Sequence, residues 1–219
     1  MRLVDLSLPI EDHWRFQPVL EPATRMSRGE ISNTTRISVG SHTFTHVDAP
    51  SHMIPGGAEL DAVPLDSFWG DAAVIDCRDI ADSAPITRAQ LEQRAGHLRR
   101  GDIALICTGL ELRHSWRSAE FWQHSPFLDR SACEWLLARG IKAIGYDFPQ
   151  DEVIRRLPDP ALTLADFPAH QILLGNGVIQ VEYLCRLHTL VQPRVQFFAL
   201  PLSLGPIDGG PCRAFALEA

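Results

Sequence analysis

Paired cysteines, long apolar runs and surplus positive charge are all missing from this 219-residue chain. Its five cysteines (Cys77, Cys107, Cys133, Cys185, Cys212) are odd in number, widely spaced and without a CxxC pair. Neither a zinc knuckle nor a disulfide scaffold is expected. Thiols set among apolar neighbours point to a reducing compartment, with the cytoplasm as the default. No stretch approaches the ~20 continuous apolar residues of a membrane span. Asp5 stands where a signal peptide would carry its apolar run. The net charge of −7 argues against nonspecific nucleic-acid binding, which needs Lys and Arg in excess. Neither GxxxxGK nor GxGxxG occurs, so nothing supports nucleotide binding. Internal repeats and low-complexity segments are absent. What remains, 45% apolar and 21% charged, excludes intrinsic disorder, and the length suits one domain over residues 1–219.

The pattern along the chain predicts more strands than helices. Arg2 to Ile10 alternates as a half-exposed strand stopped near Pro9, and residues 34–39 read as a second strand ended by Gly40. Residues 11–35 are polar and irregular, anchored only by Trp14 and Phe16. Ala73 to Cys77 is a short strand. Thr87 to Leu98 is a helix opened by a capping box of Thr87 and Gln90. Ile103 to Cys107 is almost wholly apolar, as a strand buried on both faces would be. Asp129 to Arg139 is a helix ended by Gly140, followed by a strand over 141–146. A helical turn is expected near Thr163 to Phe167. Further strands are expected over 171–174, 195–200 and 212–217. The fold class is α/β with a mixed β-sheet, its outer strands drawn from the two ends of the chain. Residues 11–35 and 149–169 read as loops around a site.

Three of the nine histidines fall within His42-Thr43-Phe44-Thr45-His46-Val47-Asp48-Ala49-Pro50-Ser51-His52, with Asp48 among them. A solvated loop has no reason to gather three imidazoles and a carboxylate, whereas zinc and manganese take these ligands. Four positions along a straight strand span about 13 Å, too far for His42 and His46 to grip one ion at ~2 Å each. The segment must therefore bend. His46 and Asp48, two apart, can converge from extended backbone. Downstream, His170 and Glu182 are the candidates to complete a site. His13, His97, His114, His124 and His188 sit amid polar or arginine-bearing neighbours, and most of them read as surface residues.

This His-x-x-x-His-x-Asp-x-Pro-x-His run resembles the signature of the cyclase family of metal-dependent hydrolases, which includes bacterial kynurenine formamidase and isatin hydrolase. The similarity extends over nearly the whole chain, through Asp5-Leu6-Ser7, Cys107-Thr108-Gly109, Gly145-Tyr146-Asp147 and Leu174-Gly175-Asn176-Gly177 to Asp208-Gly209-Gly210-Pro211-Cys212-Arg213. It implies a swivelling β/β/α fold and a dimer or tetramer whose N-terminal segments cross between subunits. It also implies two divalent ions, zinc or manganese. By position, His42, His46 and Asp48 would hold the first, and Asp48 would bridge to a second held by His170 and Glu182. His52 would be the general acid/base. The implied reaction is hydrolysis of a small amide-type bond (cyclic amide or formamide) or an ester by metal-activated water, on a small-molecule substrate, with no nucleic-acid or membrane partner.

Arylformamidase activity on N-formylkynurenine is the more specific alternative. A degenerate, non-catalytic metal-binding protein and a lyase or dehydratase using the same metals are the others. Phe44 occupies a position where the family usually has glycine, and it is expected to alter the backbone or fill part of a substrate pocket. Trp14 is a candidate to stack on substrate, with a core or interface anchor as the alternative. Asp147 and Asp151 read as capping or loop hydrogen-bonding residues, and Arg213 as a carboxylate clamp or a structural salt bridge. Trp116, Phe121 and Trp122 read as a pocket wall or a cap on a neighbouring subunit.

Overall fold

The run Ile103-Ala104-Leu105-Ile106-Cys107 is buried at every position, which a strand achieves only when both faces of its sheet are covered. The computed structural model describes residues 1–218. In chain order its elements are β1 (Arg2–Asp5), β2 (Val19–Thr24), β3 (Thr34–Ser38), β4 (His46–Asp48), β5 (Trp69–Asp76) and β6 (Pro85–Ile86). Helix α1 (Arg88–Arg94), β7 (Ile103–Cys107), α2 (Glu120–Gln123), β8 (Phe127–Leu128), α3 (Arg130–Arg139) and β9 (Ala143–Tyr146) follow. β10 (Ile179–Glu182), β11 (Arg194–Pro201) and β12 (Gly209–Glu218) complete the chain.

Eight strands form one mixed sheet in the order β1-β12-β11-β5-β7-β9-β10-β4, and β4 also pairs with β12. That last pairing closes the sheet into a barrel-like arrangement. β5, β7, β9 and β10 run parallel, while the strands from the chain's two ends are antiparallel. The two-residue period of β7 sends Ala104 and Ile106 into a core shared with Leu91 of α1 and Leu136 of α3. Ile103, Leu105 and Cys107 face a second core inside the closed sheet, with Val47, Val181, Phe197 and Ala216.

Local chemistry sets the helix ends. The Thr87 N–H donates to Gln90 Oε1 at 2.7 Å and Gln90 N–H returns to the Thr87 hydroxyl, the reciprocal box expected from sequence. Asp129 accepts from the Ala132 N–H, and Gly140 ends α3 in the left-handed conformation. Asp147, just past β9, accepts from the Thr108 and Gly109 N–H groups and the Thr108 hydroxyl. Arg213 pairs with Asp5 at 2.5 Å, fastening β1 to β12 as a structural ion pair. The cysteines are free, four of them buried and Cys212 half-buried. No helix is long and apolar enough to cross a membrane.

Two segments differ from the sequence reading. Residues 11–35 are not wholly irregular: β2 pairs with β3 in a hairpin whose residues are almost all exposed. Lacking a buried face, the hairpin lacks the alternation by which strands are recognised. The strand expected over 171–174 is instead a π-helical turn, Ala169–Leu173, continued by a tight 3-10 turn that ends at Gly177 with φ of 78°. A short apolar run cannot by itself distinguish a buried strand from a buried helical turn. The strand lies after the glycine, at β10.

Candidate metal centre

β4 lies between β10 and β12, with His46 opposite Glu182 and Asp48 opposite Gly209. This register brings a carboxylate from each of two strands to one buried place; Asp48 and Glu182 are 1% and 5% exposed. The chain reaches β4 through a bend at Phe44, which has φ of 54°. The bend folds the His42 ring back until Nδ1 is 2.7 Å from Asp48 Oδ1. Gly209 permits the same approach from the other side: a Cβ there would lie 2.7 Å from His42 Cε1 and 2.5 Å from the Val47 carbonyl oxygen. The His46 Nδ1–H donates to the Phe44 carbonyl at 2.8 Å, leaving Nε2 directed at Asp48 Oδ1, 3.2 Å away.

The distal pair arrives on different elements. His170 is carried on the π-helical turn, where its Nδ1–H donates to Asp151 Oδ2 at 2.5 Å. Its Nε2 is thereby turned toward Asp48 Oδ2 at 3.7 Å and Glu182 Oε1 at 3.8 Å. Asp151 also accepts the Ala169 N–H at 3.0 Å, so one carboxylate caps the turn and fixes the imidazole it carries. Orienting partners of this kind typically account for 10- to 100-fold in metal affinity. Asp151→Asn is therefore expected to weaken metal binding about 10- to 100-fold. Competition against a fluorescent chelator measures this, and unchanged affinity would exclude the orienting role.

Two ligand groupings share a single residue: His42, Asp48 and His52 form one, and Asp48, His170 and Glu182 the other. His52 is half-buried, stacks on His42 with ring centroids 3.6 Å apart, and holds Nδ1 4.0 Å from Asp208 Oδ2. Asp208 also accepts from His42 Nε2 at 2.8 Å. Burial, reinforced by the neighbouring imidazoles, pushes the His52 pKa down to about 4 despite the pull of Asp48. Burial alone would raise Asp48, but contacts from His170, His42 and His46 outweigh it and hold that carboxyl well below its usual range. Glu182 goes the other way, to about 7, through burial and then the charge of Asp48.

The donor set fits divalent cations. Asp48 Oδ2 is buried without a hydrogen-bond partner among the described residues, a costly state for a carboxylate oxygen. Glu182 is forced toward its neutral form beside it. A cation between them would satisfy both, and the mixture of imidazole and carboxylate suits zinc or manganese.

A cavity of about 670 Å³ opens over these groups, lined by His42, His46, Asp48, His52, His170 and Glu182 on one side. Phe16, Met53, Ile154, Leu157 and Phe167 line the other, with Arg15 and Tyr183. Of the two residues proposed for substrate contact, neither lies in this lining. Trp14 is 49% exposed and packs edge-on against Trp122 at 5.5 Å. Phe44 is fully buried behind Phe16, at 4.9 Å, near Trp116 and His13. The backbone at 44 takes the left-handed conformation that glycine adopts easily, and the phenyl ring is buried in the core and absent from the cavity lining. Left-handed backbone costs about 1–2 kcal/mol, whereas deleting a buried phenylalanine costs about 3–5 kcal/mol. Phe44→Gly is therefore expected to destabilise the protein by about 1–4 kcal/mol. Urea unfolding checks this, and a more stable variant would show that strain dominates.

From sequence Asp151 reads as a capping or loop hydrogen-bonding residue and Asp208 has no role of its own, because both act from loops remote in sequence from their imidazole partners. His13 corrects its surface reading: it is 3% exposed, stacked on Trp116 at 5.5 Å, with its Nε2–H donated to the Trp116 carbonyl at 3.0 Å. Charged neighbours in sequence concealed a residue that pins the N-terminal loop.

Residues 4–153 match the profile of the Cyclase family, described as "Putative cyclase". The kynurenine formamidase of Salinibacter ruber is 32% identical over 227 residues, covering 100% of this chain and 99% of that protein. The structure of isatin hydrolase A from Labrenzia aggregata bound to benzyl benzoate superposes with a TM-score of 0.79 at 26% identity, covering 98% of this chain and 93% of that one. A solved protein described as a potential metal-dependent hydrolase with cyclase activity gives a TM-score of 0.75 at 26% identity, covering 100% and 99%.

Proposed function

The chain belongs to the Cyclase family, and from that premise we propose that it is a metal-dependent hydrolase of small cyclic amides, formamides or related esters. It is a hydrolase acting on carbon–nitrogen bonds other than peptide bonds. The observation that carries the metal-dependent reading is Asp48, a buried carboxylate common to both ligand groupings and left with an unpaired oxygen. We assign one catalytic domain to residues 1–219. His42, His46 and Asp48 would hold one ion, and Asp48, His170 and Glu182 a second, either zinc or manganese. When bound, such ions lower the pKa of water toward neutrality and polarise a carbonyl.

The chain's own residues supply the rest. An amide nitrogen leaves poorly as an anion, so it needs a proton at the moment the bond breaks. His52 faces the cavity and, held neutral by burial, can take a proton and return it to that nitrogen. Asp208 accepts from His42 Nε2 and so sets the angle of that ring, on which His52 stacks. The Phe44 carbonyl and Asp151 fix the tautomers of His46 and His170. Met53, Ile154, Leu157 and Phe167 displace water from the bound substrate and present an apolar wall.

Arylformamidase activity is the more specific reading, favoured by that wall and by a relative named for kynurenine formamidase. A homo-oligomer is favoured by the exposed β2–β3 hairpin, which presents Val19, Leu20, Met26, Ile31 and Ile37 to its surroundings. Free thiols suit the cytoplasm. The test is incubation of zinc- or manganese-loaded protein with isatin and N-formylkynurenine in isotopically labelled water. Label entering the product carboxylate supports hydrolysis. Product lacking the elements of water would indicate a lyase, and no turnover of these or other small amides would indicate a degenerate binding protein.

A further inference from the structure

Among the residues lining the cavity, Arg15 is the one side chain with a permanent positive charge. It is held in place by an anchored loop: its backbone N–H donates to His13 Nδ1 at 3.2 Å, and His13 is fixed to the Trp116 carbonyl. The guanidinium carbon lies 5.3 Å from the Trp122 ring centroid, a cation–π placement that supports the face of the group and leaves its N–H edge available. No carboxylate pairs with it among the described residues, and the nearby Glu11 is taken by Arg117 at 2.5 Å. The same cavity is lined elsewhere by the apolar side chains Phe16, Ile154, Leu157 and Phe167.

An unpaired, half-buried guanidinium beside an apolar wall is useful chiefly when a ligand brings the acceptor. Its planar fork matches a carboxylate. A phosphate dianion would call for more than one cation, and the lining offers Arg15 alone as a fixed charge. We infer that the substrate carries a carboxylate on the apolar part remote from the scissile amide, and that Arg15 reads it. This rests on the hydrolase reading. It adds that the enzyme selects acidic amides over neutral ones of the same shape, and that Arg15 determines this specificity.

The test compares metal-loaded wild type, Arg15→Gln and Arg15→Lys on formanilide and its ortho, meta and para carboxylates. Wild type is expected to favour at least one carboxylated isomer over formanilide by about tenfold or more in kcat/KM. That ratio collapses in Arg15→Gln and is partly restored in Arg15→Lys. Equal ratios in wild type and Arg15→Gln would overturn the proposal. Calorimetric binding of ortho-, meta- and para-aminobenzoate and of aniline to the same proteins separates this result from failure of the hydrolase reading. A carboxylate held by the metals alone binds wild type and variant equally, whereas Arg15 recognition makes at least one aminobenzoate, but not aniline, about tenfold weaker in Arg15→Gln. If that difference is present without turnover of any formamide, the subsite stands and formamide hydrolysis falls. If all three aminobenzoates bind both proteins equally, the subsite falls whatever the turnover.

Discussion

Asp48→Asn is expected to lower kcat/KM for amide hydrolysis by about a thousandfold or more, because ions that activate water and polarise a carbonyl contribute several kcal/mol to the barrier. Asp48 stands among three imidazoles of the centre, with His42 at 2.7 Å, His46 at 3.2 Å and His170 at 3.7 Å. It alone belongs to both ligand groupings. Asparagine keeps the shape, removes the negative charge, and turns an N–H donor toward a place built for cations. Both ions should be lost together, whereas His170→Ala should cost only the distal one. Steady-state rates at saturating metal, read beside metal content, distinguish these cases. An Asp48→Asn enzyme that keeps a tenth of wild-type activity would exclude the shared role.

Replacing His52 with glutamine should reduce kcat on an anilide about 10²- to 10⁴-fold, the usual worth of a positioned acid/base. The size of the loss should depend on the leaving group. A nitrophenyl ester expels a stable phenolate and has little need of a proton, so its rate should fall by only about tenfold. His52 shares a grouping with His42 and Asp48, so elemental analysis decides its role: as an acid/base alone its variant retains both ions, and loss of one ion would make His52 a ligand instead. Equal losses on ester and anilide would place His52 at the attacking water instead. Full activity on the anilide would remove it from the mechanism.

The part of the centre readable in sequence was the part carried by neighbouring residues. His42, His46, Asp48 and His52 lie within eleven positions, and the argument that the segment must bend is answered by Phe44 at φ of 54°. The buried strand β7, the capping box at Thr87 and the glycine end of α3 were readable for the same reason, because each depends on local pattern. His170 and Glu182 could be singled out only as charged or polar residues in apolar runs, and the first was placed on a strand that is really a π-helical turn. Asp151 and Asp208 depend on contacts 19 and 166 residues away in sequence, which no local periodicity encodes. The closure of the sheet through β4 and β12 is likewise a long-range pairing, and it is what brings Gly209 against His42. Phe44 shows how far a sequence pattern reaches. Phe44 takes left-handed backbone, and its ring lies in the core rather than in the cavity lining.

The most direct test of the whole account is elemental analysis of the full chain purified without chelator, with zinc and manganese counted per polypeptide. The shared carboxylate and its two groupings predict close to two divalent ions per chain, falling toward zero in Asp48→Asn. A preparation that binds neither metal, even after removal of all ions and reconstitution, would contradict the dinuclear centre and the hydrolytic mechanism built on it.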